Sequence, residues 1–423
     1  MNRTSSSEDI KAAHEPGNTL SSANGPPESW PLWTVFAIFL RLGLTSFGGP
    51  IAHLGYFRSE FVERRKWLDD AAYAELLALC QFLPGPASSQ MGMALGMRRA
   101  GLAGAVAAWA GFTLPSALLM FGLGYGWLQS VWMKQGAVIS ALLIISVAVV
   151  AQAVHGMAKN LCPDPLRAWI AVLAGVVCLL IPHSLSQFMV IAVAGLVTAA
   201  QLPWHPKPVD APNVSTRFAR RLSMFCLVLF FVLLAGLPWL AWSEVHPLFV
   251  LLDNFYRAGA LVFGGGHVVL PLLQAMFVPV HMEVETFLAG YAAAQAMPGP
   301  LFTIAAYLGA VMPGAFPPWM SSLVALIGIF LPGFLLVIAA MPFWQQLMQV
   351  KSIGNAFAGM NAAVVGVLLA SLYDPIFVHA VREPRHMALA LIAFAALHFG
   401  RISPLWIVLV GVAGAGLVEL YAA

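Results

Sequence analysis

The sequence predicts an all-α polytopic membrane protein made of two homologous repeats, with helices broken at Pro-Gly-Pro. Three observations predict it. Of the 423 residues 60% are hydrophobic and only 9% are charged, with a mean hydropathy of +0.83; soluble domains carry about 25% charged residues. Apolar runs of 16 to 25 residues recur along the chain, and about 20 residues span a bilayer as a helix. The second half also restates landmarks of the first in the same order.

Residues 1–30 are polar and rich in Ser, Pro and Gly, without the apolar centre of a signal peptide, and read as a disordered tail. The first repeat, 31–202, opens with a helix at 31–49 that carries Arg41. A charged amphipathic stretch follows at 57–70. Two short apolar pieces, 71–83 and 87–97, flank Pro84-Gly85-Pro86. Four spans lie at 102–128, 136–157, 166–181 and 187–202. Residues 203–246 hold a proline-rich linker (203–221) and a joining span (222–242). The second repeat, 247–423, restarts the order with a helix at 247–265 that carries Arg257. Short pieces around Pro298-Gly299-Pro300 come next, then spans at 319–341, 356–373, 386–400 and 404–421.

The repetition reaches single residues. Arg41, Gly43, Phe47, Gly48, Gly49 and Leu54 match Arg257, Gly259, Phe263, Gly264, Gly265 and Leu270 at an offset of 216. Ala78, Gln81 and Pro84-Gly85-Pro86 match Ala292, Gln295 and Pro298-Gly299-Pro300 at 214. Leu114, Pro115, Leu118 and Leu119 match Leu331, Pro332, Leu335 and Leu336 at 217. Small loop insertions produce such drifts, so the chain is an internal duplication.

If each broken region crosses once, seven crossings separate the repeat starts, and the odd number inverts the second repeat. The basic run Arg64-Arg65-Lys66, with Arg58, then falls outside, against the positive-inside tendency. If the region re-enters instead, that loop is satisfied but this count makes the halves parallel. The matching loop 280–286 carries Glu283 and Glu285 and no Lys or Arg, which favours inversion.

Candidate site residues follow from chemistry. A charge at the bilayer centre costs about 2.5–3.5 kcal/mol on insertion scales, yet Arg41 and Arg257 hold matched intramembrane positions. Snorkelling to the interface is the bland explanation of either alone. Gly48, Gly49, Gly264 and Gly265 fray the helix ends nearly two turns later. Pro84, Gly85 and Pro86, and Pro298, Gly299 and Pro300, break the next element in each repeat. The half-helix that restarts there presents unpaired N–H groups and positive dipole, which suits an anion. Ser88, Ser89 and Thr303 add hydroxyl donors, and Gln81 and Gln295 amide donors. A mere tight kink is the alternative, as at Pro115 and Pro332. Apart from Glu75, Asp253 and Asp374, read as lying near helix ends, the apolar core holds almost no carboxylate, so an anionic substrate fits better than a cation. Glu75 is a candidate proton carrier or pairing group. His267 stands where the first repeat has Ile51, and would make the halves unequal.

No HExxH, GxSxG or Walker-type sequence and no Cys/His cluster occurs. The chain reads as a transporter and not an enzyme, with no metal, cofactor or nucleic-acid partner. The four cysteines read as small buried hydrophobes.

The stretch "TSFGGPIAHLGYFRSEFVERRKWLDDAAYAELLALCQFLPGP" resembles the N-terminal signature of the chromate ion transporter family, and "LVFGGGHVVLPLL…FLAGYAAAQAMPGP" resembles its C-terminal counterpart. The resemblance runs from about residue 31 to the end and is to the long-chain, two-domain form. It implies opposed halves and gradient-driven export of chromate across the bacterial inner membrane, with sulfate competing. The second repeat lacks the basic Arg64-Arg65-Lys66 run, so any role of that run belongs to the first half. The residues alone leave open sulfate uptake, an intramembrane lipid-handling protein, and whether the chain forms a homo-oligomer.

Overall fold

Backbone inside a bilayer finds no water, so its polar groups must pair within the chain; every regular element among the described residues is accordingly helical. The structure is a computed structural model that describes residues 31–47, 49–129, 136–181, 184–201, 217–243, 246–262, 269–278, 280–314, 316–343, 351–400 and 402–422. The expected tail and most of the expected linker lie outside the described residues.

The first repeat holds α1 (Leu32–Thr45), α2 (Gly49–Arg58, continued by a π turn), α3 (Asp70–Phe82), α4 (Ala87–Gln129), α5 (Gly136–Leu161), α6 (Pro165–Leu180) and α7 (Ser184–Gln201). The joining helix is α8 (Arg217–Trp242). The second repeat holds α9 (Pro247–Ala260), α10 (Val269–Phe277), α11 (Val284–Ala296), α12 (Ile304–Val311, entered through a 3-10 turn), α13 (Pro318–Ala340), α14 (Lys351–Ser371), α15 (Pro384–His398) and α16 (Pro404–Ala422). Five stretches are long and apolar enough to cross a membrane, in α4, α5, α8, α13 and α14. The protein is a multi-pass membrane protein.

Each repeat reverses direction at two interruptions. After the first, α2 returns beside α1: the Phe39 ring lies 5.7 Å from Phe57 and 5.1 Å from Phe61. In the second repeat Phe255 of α9 meets Phe277 of α10 at 4.9 Å. The Pro-Gly-Pro interruption does the same. Arg99, late in the first arm of α4, donates to the Trp67 carbonyl at 2.8 Å, just before α3 begins. Tyr307 of α12 donates to the Thr286 carbonyl at 3.0 Å, at the start of α11. The 13 residues of α3 rise only about 20 Å, against a hydrocarbon core of about 30 Å. The chain therefore turns back at Pro-Gly-Pro, whereas the sequence alone favours a broken helix that continues across.

Non-helical backbone at Ala100 and Gly101 divides α4 into two arms. A Cβ on Gly96 would lie 2.3 Å from the Gly104 carbonyl oxygen, so the arms pack backbone to backbone at this bend. Gly124, near the far end of the second arm, is pressed against Tyr307 and Ala310 of α12. The two Pro-Gly-Pro hairpins thus approach the second arm of α4 from its opposite ends. The outer helices are exchanged between repeats. Gly366 of α14 packs on Ala171 and Gly175 of α6, and Gly359 on Ala194 and Thr198 of α7. Reciprocally, α5 packs on α15 and α16, with Ile145 against Gly411 and Gln152 donating to Leu397. Such mutual exchange is the contact pattern of a two-fold relation.

Candidate functional site

The four reversals meet. The Gly85 N–H donates to the Val262 carbonyl at 2.7 Å, and the Gly299 N–H donates to the Ser46 carbonyl at 2.9 Å. Ser46 and Val262 are matched residues, as are Gly85 and Gly299. Each Pro-Gly-Pro tip is therefore tied to the end of the other repeat's first helix. Both glycines have positive φ, +122° and +90°, a region that side chains rarely occupy. Contact is also close. A Cβ on Gly85 would lie 3.3 Å from the Gly333 Cα, and one on Gly299 would lie 2.8 Å from the Ser116 Oγ and 3.0 Å from the Phe112 carbonyl oxygen. Ser116 and Gly333 follow the matched prolines Pro115 and Pro332, which stay inside α4 and α13.

Around this junction the buried polar side chains include Ser46, His53, Ser88, Ser89, Gln90, Thr113, Ser116 and Thr303, none more than 2% exposed. Gln90 Nε2 donates to the Pro84 carbonyl at 2.8 Å, folding the amide back over the tip. Ser116 donates to Thr113 O at 3.1 Å and Thr303 to Pro300 O at 2.8 Å. Among the described residues Ser46 Oγ, Ser89 Oγ, Thr113 Oγ1 and Gln90 Oε1 are buried without a protein partner. Leaving such a group unsatisfied costs about 1–3 kcal/mol. Helix geometry also leaves the first-turn N–H groups of Ala87, Ser88 and Ser89 without a carbonyl. The Gly85 and Gly299 N–H groups, by contrast, are spent on the tie between repeats.

The matched arginines have different surroundings. Arg257 forms an ion pair with Asp253, one turn earlier on α9, and Asp253 is only 2% exposed. This corrects one expectation: Asp253 lies mid-helix and buried, paired with Arg257, whose Nε is buried without a protein partner. Burial holds because i and i+4 share a helix face. The position matched to Asp253 is Ala37, so Arg41 lacks this partner; it is exposed on α1.

The glutamines also differ from expectation. Gln295 donates to the Tyr291 hydroxyl at 2.7 Å along its own helix, and Gln81 is exposed. The matched glutamines therefore differ in environment, Gln295 being buried. Gly49 opens α2 with φ +77°. Glu75 lies in α3, whereas Gly48, Gly264, Gly265 and His267 lie outside the described residues. Sequence reasoning missed Ser46, Gln90, Thr113, Ser116 and the pairing of Asp253. The run Ser88-Ser89-Gln90 in an apolar stretch was the available signal for Gln90, and the i, i+4 spacing was the signal for Asp253.

The sequence model described as chromate transporter matches this chain twice, over residues 33–200 and 249–417. A chromate transport protein of Cupriavidus metallidurans is 28% identical over 98% of this chain and 98% of its own length. One from Pseudomonas aeruginosa is 28% identical over 87% of this chain and 86% of its own. A probable chromate transport protein of Synechococcus elongatus is 29% identical over 78% and 81%. No solved structure matches. With both repeats matched by one family model, the chain belongs to the chromate transporter family.

Proposed function

We propose that this protein is a secondary transporter that exports chromate, a divalent tetrahedral oxyanion, across the bacterial inner membrane. The observation that carries the reading is the meeting of four chain reversals at one junction lined by buried hydroxyls without partners. Helix breaks at a repeat interface are the usual construction of a transporter site. Hydroxyl and first-turn N–H donors suit an oxyanion, and Arg41 brings positive charge about one and a half turns before the tip of α1.

The repeats are inverted in this reading. Between their starts lie the second arm of α4, α5 and α8, with α6 and α7 as an antiparallel pair that returns the chain to the side it left. The hairpins add no net crossing, so the number stays odd. Reversal at both interruptions, and not at Pro-Gly-Pro alone, is what restores inversion. With the amino terminus inside, Arg58, Arg64, Arg65, Lys66, Arg98, Arg99, Lys159, Arg167, Arg220, Arg221 and Lys351 all fall on the cytoplasmic side. Glu283 and Glu285 fall outside, with Arg382 and Arg385. Rocking of one repeat against the other alternates access to the junction.

Expression in a chromate-sensitive host tests direction. Export raises resistance and lowers cell chromate; unchanged resistance with increased sulfate accumulation contradicts it and favours uptake.

A further inference from the structure

The two Pro-Gly-Pro tips are equivalent in backbone but lead into different helix starts. After Pro86, α4 starts directly at Ala87 and continues with Ser88, Ser89 and Gln90. After Pro300 comes a 3-10 turn, Leu301–Thr303, before α12. Its Thr303 N–H closes onto the Pro300 carbonyl at 3.1 Å, and the Thr303 hydroxyl closes onto the same oxygen. The residues matched to Ser88 and Gln90 are Phe302 and Ile304, 1% and 0% exposed. One mouth carries hydroxyls without partners; the other is lined by apolar side chains and a Thr303 hydroxyl already bonded.

Depth agrees. Phe39 of α1 packs on Gly92 of α4, where a Cβ would sit 3.1 Å from its ring. The two helices run in opposite directions from that contact. Seven residues along each, about 10 Å, bring Ser46 and Gly85 to one level. The orphan hydroxyl of Ser46 therefore lies at the depth of the polar mouth, and that of Ser89 lies about one turn above it. The residue matched to Ser46 is Val262, 0% exposed and without a hydroxyl.

We infer that a single oxyanion binds, off the pseudo-two-fold axis, at the start of α4 in the first repeat. The donors are the first-turn N–H groups of Ala87, Ser88 and Ser89 and the Ser89 and Ser46 hydroxyls. Gln90 is a positioning residue: its Nε2 ties down the Pro84 carbonyl, and its Oε1, an acceptor, makes no contact with the anion. The second tip buttresses the first through Gly299 and does not bind. This rests on the transport reading above, but concerns which copy holds the ion.

Equilibrium dialysis of labelled chromate against the purified full chain in detergent reads it. One ion per chain is expected. Ser89→Ala weakens binding by about tenfold, the loss of one charge-assisted hydrogen bond, whereas Thr303→Ala changes it by less than about twofold. Ser46→Ala, which removes the other assigned hydroxyl, serves if Ser89→Ala does not accumulate. Two equivalent ions per chain, or equal weakening by Ser89→Ala and Thr303→Ala, overturns the inference and leaves transport standing. No binding by the unmodified chain overturns both.

Discussion

Gly85 of one repeat donates its N–H to Val262 of the other, and the matched pair Gly299 and Ser46 repeats the bond in the opposite sense. The two bonds tie each half of the molecule to its copy at the point where the chain reverses. They also explain why a sequence this apolar carries Pro-Gly-Pro twice. Only glycine accepts the positive φ, and the flanking prolines stop α3 and α11 and favour a new helix start.

Glycine substitutions separate strain from contact. Gly101→Ala meets positive φ alone, since nothing lies within 4 Å of its Cβ position, and costs about 1–3 kcal/mol. Gly299→Ala adds collision with the Phe112 backbone oxygen, and costs several kcal/mol on the order of an overpacked core. Thermal unfolding in detergent should rank Gly299→Ala far below Gly101→Ala. Equal midpoints would mean that the tip is loosely packed.

The arginines should behave unequally. Arg257→Gln strands the buried Asp253 carboxylate, a loss on the order of 2 kcal/mol or more, reduced because the Arg257 side chain is itself 38% exposed. Adding Asp253→Asn should recover most of that stability in a double-mutant cycle. Arg41→Gln should leave the melting midpoint within about 1 kcal/mol equivalent while lowering chromate flux at least tenfold. A stable, fully active Arg41→Gln protein would remove Arg41 from the site.

Much of this was legible in the sequence, and the reasons for the rest are specific. Span positions and the duplication follow from apolar run length and matched Gly and Pro, which the backbone needs locally. The reversal that follows α1 and α9 was not legible. A helix of 31–49 reads as one span, and only the Phe39–Phe61 and Phe255–Phe277 contacts reveal the return. The burial of Asp253, the closure of Gln295 on Tyr291 and the exposure of Gln81 depend on helix rotation relative to neighbours. In the proposed topology the Arg64-Arg65-Lys66 run no longer conflicts with the positive-inside tendency, because the hairpins are not counted as crossings.

Topology can be read by labelling. With the four native cysteines replaced, Arg64→Cys and Glu283→Cys should react with an impermeant maleimide from opposite sides of the membrane, Arg64→Cys only in everted vesicles. Reaction of both from one side would make the repeats parallel.

A stability effect of pH is expected at the α6 cap. Asp164 accepts the Arg167 backbone N–H at 3.0 Å and its guanidinium at 2.6 Å, and that backbone bond first, then the guanidinium charge, hold the carboxyl below its usual range. A depressed folded-state pKa stabilises above the ordinary aspartate value of about 4 and is lost as pH falls through the depressed one. Asp164→Ala should lower stability by about 1 kcal/mol near neutrality. The difference from the parent should shrink in acid; a difference that grows in acid would contradict the assignment.

The most direct measurement is labelled chromate flux into everted inner-membrane vesicles bearing the full chain, energised and then discharged. We expect energy-dependent accumulation that sulfate reduces, that Arg41→Gln and Ser89→Ala lower at least tenfold, and that the Asp253→Asn, Arg257→Gln double variant retains. Flux no greater than in vesicles without the protein would contradict chromate export.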